Sequence, residues 1–340
     1  MSPTNGNTTT RTNGASGATG ASTGVAVNAH RGDPTGTTSL RRQYSQQFGK
    51  RWRLLKGVVW HTVGTDDGLG LRRWNADRLD SAGNALPEWP DRHDPADDAG
   101  APDEETLRRR LERDLRERFR DGTVTGGLST EAVVAEFSDW LTSSMDDVIL
   151  GRGSGGDSWQ VEYIRYAYAK GLGDARDHLE SEHGVSVAPE DVEDAFNLPI
   201  HRDVFETVFR QTLSDSDALT ETTAAHVRRE LATGILRGEN PRAVARTIND
   251  RLDSVGLTRS RLIARTETIR AYNEATLSRY ERHLGADAEV SPEVEWRTAE
   301  DNRVCERCQA MAGRTLTIRE ARGMIPLHPN CRCRWTVATV

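Results

Sequence analysis

Residues 258–285, TRSRLIARTETIRAYNEATLSRYERHLG, and the run Val294-Glu295-Trp296-Arg297-Thr298 that follows decide the fold class. In the first stretch Leu262, Ile269 and Tyr272 recur at helical spacing. Gly285 then offers the residue type that closes a helix in the left-handed conformation. The segment predicts a helix from about Thr258 to Leu284. In the second stretch apolar and polar residues alternate with the period of a strand. Gly313-Arg314-Thr315-Leu316-Thr317 and Cys333-Arg334-Trp335-Thr336-Val337 read the same way. The fold class that follows is mainly α, with a small α+β module at the C-terminal end.

Upstream, helical stripes continue for more than a hundred residues. Leu107, Leu111, Leu115 and Phe119 fall every four positions. Val133, Phe137, Trp140, Leu141, Met145 and Val148 form a second stripe after Ser129-Thr130-Glu131. Val161, Ile164, Tyr168, Leu172, Ala175 and Leu179 form a third. Val204, Val208 and Leu213 predict a short helix, and Thr223, Val227, Leu231 and Ile235 a separate one that ends near Gly238. Asn240-Pro241 then supplies an N-cap with proline at the first helical position, opening a helix through Leu252. Strand and helix never alternate, which excludes a doubly wound sheet. The glycine-rich run 151–156 has neither the lysine nor the preceding apolar strand of a phosphate loop and reads as a flexible connection.

The N-terminal quarter divides by composition. Residues 1–38 are Thr, Gly, Ser, Asn and Ala with almost nothing apolar, and predict a disordered tail. Residues 39–80 hold a basic amphipathic helix. Arg41, Arg42, Lys50, Arg51, Arg53 and Lys56 meet no acid between 40 and 56, while Tyr44, Phe48, Trp52 and Leu55 form one stripe. Such a helix either packs that stripe on the rest of the protein or docks on an acidic surface or a phosphate backbone. Residues 81–103, with Pro87, Pro90, Pro95, Pro102, Asp91, Asp94, Asp97 and Asp98, read as an acidic proline-rich linker.

Composition excludes several classes. Of 340 residues, 36% are hydrophobic and 29% charged, with a net charge of −7. That is a limited core per residue, and the balance rules out a globally basic nucleic-acid coat. No apolar run is long enough to span a bilayer, and no basic start leads into an apolar stretch, so neither a membrane span nor a secretory signal is expected. Lysine is restricted to Lys50, Lys56 and Lys170; arginine carries nearly all the positive charge.

All four cysteines lie between Cys305 and Cys333. Cys305-x2-Cys308 is followed, nineteen residues on, by His328-Pro329-Asn330-Cys331-Arg332-Cys333. Two knuckles at such spacing can offer thiolates and an imidazole to one tetrahedral ion. Pro329-Asn330 favours a turn that folds His328 and Cys331 back together. Five candidate ligands compete for four places: Cys305, Cys308, His328 and Cys331, with Cys333 the substitute. Structural Zn2+ is the favoured reading. Two disulfides, free thiols in a small core, and catalytic zinc remain alternatives. Catalytic zinc has least support, because neither the His-x-Glu of zinc deaminases nor the His-Glu-x2-His of zinc proteases is present. Around the cluster Arg297, Arg303, Arg307, Arg314, Arg319, Arg322, Arg332 and Arg334 outnumber Glu300, Asp301, Glu306 and Glu320. The module is a net-positive knob on an acidic chain.

These motifs come in a specific order. Ile263-Ala264-Arg265-Thr266-Glu267 lies on the long helix. Trp296-Arg297-Thr298-Ala299-Glu300-Asp301-Asn302-Arg303-Val304-Cys305 leads into Cys308, then Met311-Ala312-Gly313, then Pro326-Leu327-His328-Pro329-Asn330-Cys331-Arg332-Cys333. With Gly234-Ile235-Leu236-Arg237-Gly238-Glu239-Asn240-Pro241 between two helices, the order resembles the head morphogenesis, or minor head protein, family of tailed bacteriophages and archaeal viruses, of which phage Mu protein F is the namesake. The resemblance covers 215–340 and sets that segment apart from a helical N-terminal domain over 104–214. It implies a non-enzymatic virion protein of few copies, placed in the capsid interior or at the portal vertex, and in the host cytoplasm during assembly. The implied roles are head assembly and DNA packaging or ejection. The implied partners are portal protein, other capsid components and packaged DNA, with no membrane and no small-molecule substrate.

Carried over by position, Arg265, Glu267, Trp296, Asp301, Arg303 and Gly313 are the family motif. Arg265 is expected to join the helix to the module through Asp301. Arg41, Arg42, Lys50, Arg51, Arg53, Arg332 and Arg334 are the expected contacts to DNA or a partner. The rival reading is a zinc-dependent nucleic-acid-binding protein or nuclease. It rests on His328 and the arginines, and it lacks a second histidine and a convergent carboxylate set.

Overall fold

The computed structural model describes residues 32–71, 104–120, 127–152, 158–187, 198–284 and 292–338. The linker expected over 81–103, the glycine run beyond Arg152 and the closing Gly285 lie outside the described residues.

The fold is mainly helical with one small sheet. Helix α1 spans Thr38–Val59 and continues as a π-helical turn over Trp60–Thr65. Its predicted stripe is packed inward: Tyr44, Phe48, Trp52 and Leu55 are fully buried. The helix is therefore a core element. Its start also corrects the boundary of the expected tail. Residues 32–37 form a short strap whose Asp33 Oδ2 accepts a hydrogen bond from the Thr38 amide at 2.8 Å. Thr35 and Thr37 are buried in it; residues 1–31 lie outside the described residues. Charge-assisted bonds hold the strap despite its tail-like composition.

Helices α2 (Glu104–Arg118), α3 (Thr130–Met145, with a π-helical turn Asp146–Leu150) and α4 (Gln160–His183) follow the three stripes. Ser129 caps α3 by accepting from Ala132 N at 3.2 Å. Gly151 and Gly184 close α3 and α4 in the left-handed region.

Helix α5 runs unbroken from Pro199 to Leu236, where two shorter helices were expected. The apolar stripe lapses between Val208 and Leu219, but the helix does not. Thr212 and Ser216 take the inward positions of the gap and Thr223 one just beyond it, all three fully buried. Thr212 and Thr223 return hydroxyl hydrogen bonds to the carbonyls four residues back, at 3.0 and 2.8 Å, and Ser216 donates to Gln160 Oε1 at 3.1 Å. The boundary expected at 214/215 thus falls inside one helix.

Asn240 caps α6 (Pro241–Arg251), accepting from Ala243 N at 2.9 Å; a π-helical turn over Leu252–Leu257 leads into α7 (Thr258–Leu284). Helices α4 and α7 approach closely at Gly171. A methyl group there would collide with the carbonyl oxygen of Tyr272 and meet Ala275 Cβ at 2.9 Å. Gly256 is similarly constrained, because the Trp52 ring lies against it.

The sheet is antiparallel with order β2-β1-β3: β1 Glu293–Arg297, β2 Thr315–Thr317 and β3 Arg334–Val337. Trp296 pairs with Trp335 in register, and their rings meet edge to face at 5.1 Å. Two one-turn helices, α8 (Glu306–Gln309) and α9 (Ile318–Ala321), lie in the connections. The main core gathers buried residues of α1 to α6 and the first half of α7. A second core sets Ile269, Leu277 and Tyr280 of α7, with Ala175 and Leu179 of α4, against the sheet and the four cysteines. Helix α7 is the wall shared by both.

Candidate metal centre and its clasp

Cys305 caps α8, its Sγ accepting from Cys308 N at 3.4 Å. This places Cys305 and Cys308 on one turn, facing the same way. The second knuckle turns through Asn330, whose positive φ of 64° brings Cys331 N to His328 O at 3.1 Å. His328 Nδ1 donates to Pro329 O at 2.8 Å, which leaves the Nε2 lone pair facing the thiols. Nε2 lies 3.2 Å from Cys305 Sγ and 3.1 Å from Cys308 Sγ. Cys308 and Cys331 sulfurs are 3.8 Å apart, close to the edge of a tetrahedron about 2.3 Å from a central zinc to each sulfur.

The five donors form two overlapping triads, Cys305–Cys308–His328 and Cys308–Cys331–Cys333, each with its ligand atoms within 4.8 Å of one another. Cys308 is common to both. All four cysteines are free thiols, and all but Cys305 are buried. The predicted ligand residues therefore do converge, including the substitute Cys333. Soft thiols with one imidazole fit a tetrahedral ion such as zinc better than magnesium or calcium.

The thiols are electrostatically unequal. The Cys331 thiol is drawn down to about 5, first by the Cys333 thiol hydrogen-bonded to it and then by the Cys333 and Leu327 amides. Cys333, which gives that hydrogen bond, is pushed up in turn. Burial and the neighbouring Cys331 charge push Cys308 up to about 12. Cys305 is lowered by the amide of Cys308.

Around the donors runs a set of clasps, most of which sequence reasoning missed. Asn273 of α7 is fully buried. Its Nδ2 donates to Ile269 O and Cys333 O at 2.9 and 3.2 Å, and its Oδ1 accepts from Trp335 N at 3.1 Å. One side chain thus extends the β3 edge onto the helix. Glu274 accepts from Gly323 N at 2.7 Å and from Arg322 at 3.2 Å. The available signal was two polar residues on the inward face of a helix.

Asp301 does not meet Arg265. Both its oxygens are taken by Arg332 in a bidentate pair at 2.6 Å, and Arg303 shares Oδ2 at 3.2 Å. These partners hold the Asp301 carboxyl well below the usual carboxylate range. Asp301 also accepts from Arg303 N at 3.0 Å, so it shapes the turn leading to Cys305. Arg265 stands exposed on α7, and the expected link from it to Asp301 is not formed, because Arg332 and Arg303 take both oxygens.

Glu267 is fully buried, paired with Arg270 at 2.9 Å and with Thr212 at 3.3 Å. Burial outweighs these partners and raises its carboxyl. Trp296 is core, and Gly313 turns the chain into β2 at φ 75° while its amide donates to Trp296 O at 2.9 Å.

Several expected partner contacts are instead turned inward. Arg41 is 8% exposed and pairs with Asp33 at 3.0 Å. Arg51 lies over the Trp159 ring at 4.4 Å and donates to Val148 O at 3.2 Å, and burial lowers its guanidinium to about 10. Arg332 donates to Gly32 O at 2.7 Å besides its pair with Asp301. Lys50 and Arg334 are half-buried. Arg42 and Arg53 are exposed.

Fold and site together define a helical protein carrying a sheet-backed, two-knuckle thiol and imidazole cluster. Residues 225–336 match the family model described as phage Mu protein F like protein, a phage head morphogenesis family. The match covers less than half of the chain and takes in the end of α5, α6, α7, the sheet and all five donors. No curated protein and no solved structure matches the chain.

Proposed function

We propose that this protein is a minor component of a tailed-virus head that acts at or near the portal, in head assembly and in DNA packaging or ejection. The observation that carries the reading is the family match over the segment that folds into α7, the sheet and the donor cluster. The same reading takes the donor cluster as a structural zinc site and the chain as a non-enzymatic assembly protein. Four of Cys305, Cys308, His328, Cys331 and Cys333 would hold the ion and tie the two knuckles together. Buried thiols and a neutral imidazole suit a closed structural site, with no carboxylate in either triad to serve as a base. Portal protein and neighbouring capsid subunits are the proposed partners.

Quantitative mass spectrometry of purified particles tests this reading. A few copies per particle, against many of the major capsid protein, are expected. Absence from both particles and assembly intermediates overturns it.

A further inference from the structure

Helices α1 and α7 pack side by side. Trp52 Nε1 donates to Ser260 Oγ at 2.7 Å at one end of their contact. At the other end Arg41 lies within electrostatic reach of Arg265, Arg303 and Arg332. Helix α1 contains no acidic residue, and the only acid in the first half of α7, Glu267, is buried and paired. Arg53, Arg261 and Arg265 are among the exposed residues of these two helices. Arg53 sits over Gly49 beside Leu257. Arg261 and Arg265 share one face of α7, four residues apart. Arg303, with a side chain 70% exposed, continues the line onto the knuckle module.

Asp33 and Asp301 neutralise Arg41 and Arg332 behind this line, and Asp253 engages Lys56 at its far end. Glu300 is the exposed acid of the adjoining turn. None of Arg53, Arg261 and Arg265 forms an ion pair among the described residues. Crowded guanidiniums repel one another: the Arg41 guanidinium is lowered first by its burial and further by Arg332, Arg265 and Arg303. From Arg41 to Arg53 the helix rises roughly 18 Å, a length that faces about five successive phosphates of one strand.

We propose that Arg53, Arg261, Arg265 and Arg303 form a docking track for the phosphate backbone of double-stranded DNA. Guanidinium forks suit phosphate oxygens, and a local positive track lets a chain of net charge −7 attract DNA at this face. The proposal rests on the head-protein reading for the presence of DNA beside the protein, and it departs from the sequence expectation in its residues. Arg41 and Arg332 lie behind the track, held by Asp33 and Asp301, while Arg53, Arg261, Arg265 and Arg303 make contact.

The test is fluorescence anisotropy of the full chain with a labelled mixed-sequence duplex, titrated between about 50 and 200 mM salt. The R53A/R261A/R265A/R303A variant should bind at least tenfold more weakly at the low-salt end. Its slope of log affinity against log salt should fall by about 3 to 4. Replacing the same four residues by lysine should restore most of the binding, which also serves should the alanine variant fold poorly. R109A/R210A, on α2 and α5, should bind like the wild type. Equal binding by the wild type and the alanine variant overturns the track. So does equal loss in R109A/R210A, or wild-type binding to polyglutamate and not to DNA, which would assign the face to an acidic protein. Particle mass spectrometry separates the two readings: the chain present in particles but indifferent to DNA sinks the track alone, and its absence from both particles and assembly intermediates sinks the head-protein reading.

Discussion

The two cores of this protein are held together differently. The helical core is built mainly from large side chains packed on one another: Tyr44, Phe48, Trp52, Phe137, Trp140 and Tyr168 are all fully buried, and Tyr44, Phe48, Trp159 and Tyr163 stack or meet edge to face. The C-terminal module has three strands of three to five residues and a core in which cysteines take the place of aliphatic side chains. Polar clasps from α7 and the strap do much of its anchoring. Small modules bury too little apolar surface to stand alone, and cross-links of some kind must make up the difference. The fold draws on two sources of stability along a single helix: Ala264, Ala271 and Ala275 of α7 face the helical core, and Ile269, Leu277 and Tyr280 face the module.

The largest expected effect separates the cores directly. If zinc ties the knuckles, ligation contributes on the order of 10 kcal/mol to the module. A strong chelator under reducing conditions should then abolish the near-ultraviolet dichroism of the Trp296–Trp335 pair while most helical signal persists. An unchanged spectrum would leave the module standing on its own core and clasps.

Trp52→Ala attacks the other core. It removes the ring packed on Gly256 and the bond to Ser260, and should cost about 3–5 kcal/mol in denaturant unfolding. A loss below about 1 kcal/mol would mean that α1 is a dispensable addition. Gly171→Ala is a smaller probe at the shared wall. Its methyl group meets the Tyr272 carbonyl, so α4 and α7 must separate, at about 1–3 kcal/mol. Because α4 and α7 line both cores, the melting of both should shift together.

Arg332→Ala sharpens the contrast at the strap. It frees the Gly32 carbonyl and leaves Asp301 to Arg303 alone, so proteolysis near residue 32 should accelerate with little change in the helical core. The lowered carboxyls of Asp33 and Asp301 predict a pH dependence with the same location. Their contribution is present above the ordinary carboxylate pKa and is lost as pH falls through the lowered folded value. Strap release should therefore increase in acid in the wild type and depend less on pH in the variant.

The smallest effect is expected at Glu267. Its folded pKa is raised, so its contribution is fully present below the ordinary value and is lost as pH rises through the folded one. Glu267→Gln should flatten that decline in melting temperature above about pH 4.5. A steeper decline in the variant would show that the pair with Arg270 outweighs burial.

Much of this was legible beforehand. Stripes at Tyr44–Leu55, Val133–Val148 and Val161–Leu179 are long and regular, so their helices and inward faces could be read from periodicity alone. The three strands were visible as alternating runs, and the five donors by type and spacing. The reading failed where polar residues are buried. Thr212, Ser216 and Thr223 interrupt an apolar stripe without interrupting a helix, because their hydroxyls find carbonyl or side-chain partners inside the interface. Asn273 and Glu274 look like surface residues until a strand end and a loop amide are brought to them. Arg51 and Arg332 read as free charges because their partners lie far away in the chain or on its backbone, and Arg41 because its partner Asp33 sits in a segment that reads as tail.

The sequence by itself determined the helical class, the strands, the inward stripes and the membership of the donor cluster, since each follows from neighbours a few residues apart or from the rarity of cysteine and histidine. Only the tertiary structure decided which charges remain outside. An arginine is bonded inward or left exposed by residues as much as 300 positions away, as Arg332 is by the Gly32 carbonyl, and periodicity carries no information across that distance.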